Sequence, residues 1–355
     1  MIRILSGGES HGLGVTVIID GIPAGLKIKP DFINRELKRR KSGMGRSARM
    51  KMECDKVEII SGVKNGMTIG SPITLFIKNA DYRKNEFLAL KRQDKKLTIP
   101  RPGHADLSGL LKFGLSDIQD VIERASARET VSRVAAGGIF KTFLNEFDIH
   151  IGSRVISIGP AKQKKKMLSL VKKTKKVGET LGGIVEVYAD NVCPGLGSFT
   201  QFDKRLDALI GMAMLSIPSV KGIEIGAAIK GSFIFGSRFH DEIFFDRVKG
   251  FYRKTNNAGG IEGGVSNGER ILIRLYAKPI PTLQNPLYSV DIKTKKRILA
   301  PKPRADVCVI ESIGVIGEAM LSYVLTNALC EKFGCDCIAD IKKNYRSYIK
   351  RIKNV

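Results

Sequence analysis

A chain of 355 residues, 43% of them hydrophobic, is long enough to bury a large core in one big domain or two smaller ones. Its 60 Lys and Arg against 35 Asp and Glu give a formal net charge of +25, which points to nucleic acid, to small polyanions, or to a basic proteome background. No apolar stretch is expected to span a bilayer and MIRILSGGES lacks a signal-peptide core, so a cytoplasmic protein with no membrane partner is expected.

GVTVIID (14–20) reads as a strand closed by the turn GIPAG, and Pro30 and Asp31 open a short helix that ends in the basic run 35–41. KVEIISG (56–62) and ITLFIK (73–78) form a predicted hairpin across the turn-rich KNGMTIGSP. Residues 79–109 carry charge, Pro and Gly without periodicity, as functional or disordered segments do. A long helix is predicted over 116–145, with Ser116 and Gln119 spelling a capping box. Its Ala, Gly and Ser content lets other backbones approach closely, and Arg124, Ser126, Arg128, Thr130 and Arg133 sit inside it. On a continuous helix Arg124 and Arg128 share a face, as do Ser126 and Arg133. A solvated arginine face is one reading. The neighbours, however, are Ala, Ser and Thr rather than Glu and Lys, and buried arginines need anionic partners. Where local carboxylates are too few, that partner is a ligand.

The second half repeats the alternation, with strands predicted over 149–158, 183–189, 222–230 and 270–277 and a helix over 201–215. The loops 231–268 and 278–303 show no core pattern, 309–333 is an apolar core or subunit-interface helix, and 342–355 is a basic, exposed tail. Without a repeat or a low-complexity linker, 1–355 reads as a single α+β unit. The six cysteines read as free thiols, Cys54, Cys193, Cys308, Cys330, Cys335 and Cys337; CEKFGCDC fits no common zinc spacing, so no metal is expected.

Two of the four histidines, His11 in GGESHGLG and His104 in RPGHADLSG, lie in Gly-rich settings where a ligand can approach the backbone. Imidazole is the group best suited to moving protons near pH 7. His150 and His240 read as structural or surface residues. Arg40, Arg46, Arg49, Arg101, Arg124, Arg128, Arg133 and Arg304 are candidates for a polyanion pocket, because guanidinium forks bind phosphate and carboxylate bidentately. NNAGGIEGGVSNGE (256–269) is neither a Rossmann turn nor a Walker loop. Lys278-Pro279-Ile280-Pro281-Thr282 is a rigid loop suited to presenting a Lys and a hydroxyl to phosphate.

Taken in order, GESHG, RRKSGMGR, RPGHADLSG, RASARETVSRVAAG, VKGIEIG, GGIEGG, KPIPT and the pair Arg304 and Asp306 resemble the chorismate synthases over nearly the whole chain. The resemblance implies an α+β sandwich with helices packed between antiparallel sheets, assembled as a homotetramer. It implies a lyase that converts 5-enolpyruvylshikimate 3-phosphate to chorismate and phosphate by anti-1,4-elimination, the last step of the shikimate pathway. Reduced FMN is the implied cofactor, although there is no net redox change, with NADPH as the indirect source of reducing equivalents. No segment resembles the insertions of the bifunctional members, so an external flavin reductase is expected.

Position by position, the resemblance makes His104 the proton donor to reduced flavin and His11 the donor to the departing phosphate. Asp306 takes part in proton removal at the flavin, and Ser10 and Ser126 support the two ends of the relay. Flavin binding falls to Arg124, Ala125, Ser126, Pro218, Ser219, Gly263, Lys278, Pro279, Ile280, Pro281, Thr282 and Arg304. Substrate binding falls to Arg40, Arg46, Arg49, Arg101, Arg128 and Arg133, with Arg46 and Arg49 assigned to NADPH in some members. The chain departs from the pattern at Pro218-Ser219, where Asn-Ala is typical, and at Ala305, where Ser or His is common. The competing reading is a nucleic-acid-binding protein, motivated by the net charge. Against it, aromatics make up 7%, Trp is absent, and no RRM, KH or zinc-finger spelling appears, so no specific nucleic-acid partner is expected.

Overall fold

The structure is a computed structural model that describes residues 2–46, 55–80, 82, 96–247, 250–302 and 306–355. Strands β1 (Arg3–Gly8), β2 (Gly14–Asp20), β3 (Val57–Ser61) and β4 (Ile73–Lys78) form an antiparallel sheet in the order β1-β2-β4-β3. Alternation sets its faces: Val15, Val17 and Ile19 of β2 point inward beside Ile77, Leu75 and Ile73 of β4, which pair with them in register. A second antiparallel sheet holds β5 (His150–Ile158), β6 (Gly183–Asp190), β7 (Val220–Ile225) and β8 (Ile271–Ala277) in the order β5-β6-β8-β7. Val185 and Val187 of β6 turn inward opposite Leu275 and Ile273 of β8.

The longer helices are α1 (Pro30–Lys41), α2 (Asp106–Phe113), α3 (Ile118–Ala125), α4 (Thr130–Asn145), α5 (Lys164–Lys176), α6 (Leu206–Leu215), α7 (Ile310–Phe333) and α8 (Ile338–Ile352). Helix α4 packs on β2 and β4, α7 packs on β5 and β6, and α1, α4 and α7 touch one another between the sheets. This is the expected α+β sandwich, and one continuous cluster of buried residues runs through it. Small residues permit the close spacing. A Cβ added at Gly137 of α4 would stand 2.3 Å from Ala319 Cβ of α7, and one at Gly317 would stand 2.8 Å from Val187 Cγ2 of β6.

Several elements differ from expectation. The helix predicted over 116–145 is broken into α3, a 3₁₀ turn (Ala127–Glu129) and α4, because Ser126 is extended at φ −64°, ψ 140°. Its Oγ accepts the Arg128 N–H at 3.3 Å, a local bond that competes with the helical ladder. The break removes the shared faces expected for Arg124 with Arg128 and for Ser126 with Arg133. The N-cap of α3 is Asp117 rather than Ser116, with Asp117 Oδ1 accepting the Gln119 N–H at 2.9 Å. The strand expected over 222–230 ends at Ile225, and a helical turn follows at Ala228–Gly231. Both long loops carry hairpins, Ile243–Asp246 with Gly250–Arg253 and Tyr288–Val290 with Arg297–Leu299. The basic segment 342–355 is mostly helix α8 rather than a free tail: Ile341 is buried, and Tyr345 and Tyr348 meet Phe333 edge-on at 5.3 and 5.4 Å. One helix, α7, does reach the length and apolarity of a membrane span, contrary to expectation, but 89% of its most apolar window is buried in the sandwich. Cys193, Cys308, Cys330, Cys335 and Cys337 are free thiols, and Cys54 lies outside the described residues.

An ionic cluster sits in the middle of the helical layer. Glu318 of α7 is fully buried and takes both Arg39 Nη atoms at 2.7 Å, Lys141 Nζ at 2.5 Å and the Ser153 hydroxyl at 2.5 Å. Lys141 also donates to Glu36. Burial works to raise the Glu318 carboxyl, but Arg39 and Lys141 outweigh it and hold it below the ordinary value. Replacing Lys141 with Met leaves two buried carboxylates competing for Arg39 and is expected to cost about 3–5 kcal/mol. The check is the urea midpoint, with Lys162→Met on the exposed side of the chain expected to leave it unchanged within error.

Candidate active site

A cavity of about 720 Å³ lies where the ends of these elements converge. Ile118 and Ile122 of α3, Ile280, Val309, and Ile313 and Ile316 of α7 form an apolar wall. The polar lining comes from Ser10 and His11 of the β1–β2 loop, Arg40 at the end of α1, Arg46, Ser126 and Arg128 from the helix break, and Asp306 ahead of α7. The break at Ser126 therefore turns polar groups into the cavity in the middle of an otherwise helical run.

The loop bearing Ser10 and His11 is held from two sides. Glu123 of α3 takes the His11 N–H on Oε2 at 2.8 Å, faces His11 Nδ1 with Oε1 at 2.8 Å, and accepts the Ser10 N–H on its own carbonyl at 2.9 Å. From the end of β4, Asn79 Nδ2 donates to the carbonyls of Glu9, Ser10 and Gly12 at 3.0, 3.3 and 2.8 Å. The Ser10 hydroxyl donates to Ser126 Oγ at 3.1 Å, so these two predicted relay residues touch.

Asp55 is shared by two arginines, Arg40 Nη2 at 3.0 Å and Arg128 Nη1 at 2.7 Å, while Arg128 Nε donates to Asn79 Oδ1 at 2.9 Å. Arg40 is 4% exposed, its Nη1 reaches Thr130 Oγ1 at 3.3 Å, and its buried Nε has no partner among the described residues. Burial lowers the Arg40 guanidinium most strongly; Asp55 raises it, and the like charges of Arg128 and Arg46 lower it again. Arg46 Nη1 donates to Asp306 Oδ2 at 2.7 Å. Arg101 is clamped by Asp106, Nε to Oδ2 at 2.8 Å and Nη2 to Oδ1 at 2.9 Å, and lines the same cavity.

His104 lines an adjoining recess that shares Arg101, Thr282 and Pro301 with the main cavity. Its Nε2 is 3.0 Å from Thr282 Oγ1 and its Nδ1 is 3.3 Å from the Pro102 carbonyl. A carbonyl only accepts, which assigns the proton of the neutral ring to Nδ1. Burial, then the neighbouring Arg101 cation, pull His104 below its ordinary value, with Asp106 opposing them.

Of the other predicted residues, Pro218, Ser219, Ile280 and Thr282 line the cavity, and Ser219 has φ +73°. Arg124, Ala125, Arg133, Gly263, Lys278, Pro279 and Pro281 lie off it. Arg124 donates to Ser6 Oγ at 2.7 Å and Arg133 to Ser216 Oγ at 2.8 Å. The Gly263 carbonyl accepts from Arg205 at 3.2 Å, and Lys278 Nζ donates to the Gly103 carbonyl at 3.0 Å. Pro279 and Pro281 line a neighbouring groove with Lys278. Arg49 and Arg304 lie outside the described residues. The residues that sequence reasoning missed are Asp55, Asn79, Glu123, Lys96 and Lys302, the last two being further cations on the cavity wall. Glu123 lies within the helix predicted over 116–145, but its partner His11 is remote in sequence.

A cavity lined by isoleucines together with guanidinium groups and an imidazole defines an enzyme that handles a small, highly charged molecule. The family model described as chorismate synthase matches residues 2–330. The chorismate synthases of Thermoanaerobacter pseudethanolicus and Aquifex aeolicus are 46% and 45% identical to the chain over 352 and 392 aligned positions, covering 99% of it and 99% and 98% of themselves. A crystal structure of a chorismate synthase matches at a TM-score of 0.81 and 38% identity, covering 100% of this chain and 99% of that one. The chain belongs to the chorismate synthase family, lyases of the shikimate route to the aromatic amino acids.

The environment of His104 sets a pH dependence. A histidine held below its ordinary value of 6.5 leaves stability intact above that pH and removes it as pH falls towards the folded value, because the unfolded chain then binds the proton more readily. Between about pH 7.5 and 5.5, wild type is expected to lose more unfolding free energy in urea than His104→Gln.

Proposed function

We propose that this chain converts 5-enolpyruvylshikimate 3-phosphate to chorismate and phosphate by anti-1,4-elimination, with reduced FMN held in the 720 Å³ cavity. The observation that carries this reading is Arg40, a guanidinium only 4% exposed that lines the cavity and whose buried Nε has no partner among the described residues. An arriving phosphate or carboxylate would supply an acceptor in that poorly solvated place.

The residues present also fit a flavin. Ile118, Ile122, Ile280, Ile313 and Ile316 offer an apolar wall to a flat ring, with the hydroxyls of Ser126 and Thr282 and the Arg128 cation at its polar margin. Reduced FMN, when bound, supplies an electron-rich ring able to share charge with the substrate while phosphate leaves. Arg40 and Arg128 stabilise the negative charge that gathers on the departing phosphate. His11, with Nδ1 taken by Glu123, holds a proton for that phosphate at Nε2. Asp306, paired with Arg46, takes part in proton removal at the flavin, and Ser10 and Ser126, joined by a hydroxyl–hydroxyl hydrogen bond, support the proton relay. His104 serves as proton donor on the cofactor side of the site, beside the Thr282 hydroxyl.

The same reading takes the flavin, NADPH and substrate positions that lie off the cavity, or outside the described residues, as completed in a homotetramer. It also has an external reductase supply the reduced flavin in the cytoplasm. The test is an anaerobic assay with dithionite-reduced FMN and 5-enolpyruvylshikimate 3-phosphate, following chorismate absorbance and phosphate release. Stoichiometric products are expected, slowed about 10²- to 10⁴-fold in His11→Ala and in His104→Ala. A folded wild-type protein that yields no product would defeat the proposal and return the nucleic-acid reading to contention. Turnover with oxidised FMN and NADPH alone would show that no external reductase is needed.

A further inference from the structure

We infer that Glu123 is a positioning residue for His11, keeping a hydrogen on Nδ1 so that Nε2 is the ring nitrogen that takes up the proton and hands it on. The inference rests on the reading of His11 as a proton donor.

Glu123 sits one turn after Gln119 on α3, and Gln119 Nε2 donates to Glu123 Oε1, so the carboxylate is itself braced on the helix. Burial works to raise the Glu123 carboxyl, but the hydrogen bonds from the His11 ring, the His11 backbone and Gln119 outweigh it and hold it below the ordinary carboxylate value. Glu123 is therefore an anion at working pH, and an anionic carboxylate only accepts. With Oε1 at 2.8 Å, Nδ1 of His11 must carry the hydrogen. Nε2 is then the only ring atom free to gain or lose a proton. The same carboxylate fixes the main chain: Oε2 takes the His11 N–H at 2.8 Å, and the Glu123 carbonyl takes the Ser10 N–H at 2.9 Å. Ring and backbone are thus referenced to one group on one helix, and that helix also presents Ile118 and Ile122 to the cavity.

This differs from a loop anchor. Asn79 already ties the loop through three carbonyls without touching the imidazole, so a purely structural contact at Glu123 would add stability and no ring selection. A carboxylate that orients a catalytic imidazole acts on turnover, and removing its charge while keeping its shape leaves the wrong tautomer in place.

The test compares wild type, Glu123→Gln, His11→Ala and the double variant in the reduced-FMN assay, together with ¹⁵N NMR of the histidine rings. Expected results are a kcat lowered about 10²- to 10⁴-fold in Glu123→Gln with KM changed less than about threefold. His11 should keep Nδ1–H in wild type in both the neutral ring and the imidazolium, with the neutral Nε2–H tautomer appearing in Glu123→Gln. In the His11→Ala background, Glu123→Gln should lower kcat by no more than about threefold. Undiminished kcat in Glu123→Gln, or an equal loss in the His11→Ala background, would overturn the inference while leaving His11 as the donor. Full turnover by His11→Ala would instead remove the role of His11 and the inference with it. If Glu123→Gln does not fold, the wild-type spectrum still decides: a neutral His11 ring with its hydrogen on Nε2 and none on Nδ1 overturns the inference.

Discussion

One buried carboxylate, Glu318, holds the middle layer together. Arg39 reaches it from α1, Lys141 from α4 and Ser153 from β5, so one charge on α7 is met from three other elements. Loss of any one cationic partner would leave charge buried without its match, which ties the packing of these elements to one another. The cavity inherits that arrangement. Arg40 follows Arg39 directly, Thr130 opens the helix that carries Lys141, and Ser312, Ile313 and Ile316 precede Glu318 on α7. The Ser312 hydroxyl donates to the Arg40 carbonyl at 2.6 Å and so joins two of the cavity walls.

The arginines in and around the cavity are not equivalent. Arg101 is matched bidentately by the fully buried Asp106, and Arg46 is paired with Asp306. Arg40 and Arg128 both reach Asp55, and Lys96 and Lys302 add further positive charge at the wall. Arg40 is the most deeply buried of these cations, at 4% exposure.

Much of this was legible in the sequence, and the failures have physical causes. Strands β2 and β4 and helix α7 follow from alternation and from a long apolar run, signals that act over a few residues. The convergence of His11, Arg40, Arg128 and Asp306 followed from resemblance, not from pattern, because residues on a loop, two helices and a linker share no periodicity. The break at Ser126 was missed because its apolar periodicity continues straight through. What ends the helix is one side-chain bond to the Arg128 amide, and propensity is blind to that. Asp55 and Glu123 escaped because acidic residues are common and their partners are distant, 73 residues for Asp55 with Arg128 and 112 for Glu123 with His11. Helix α8 was read as a tail because its lysines and arginines mask a stripe of Ile341, Tyr345 and Tyr348.

The contact between Gly137 and Ala319 gives the sandwich a hard stop: at that point the thickness of the middle layer is set by the absence of one side chain. Ile316 lies one turn before Ala319 and Thr130 two turns before Gly137, and both border the cavity. Any side chain at Gly137 would have to push the two helices apart at that contact. Neither Gly137 nor Ala319 lines the chamber, so the spacing of two of its walls is set by residues that do not touch its contents.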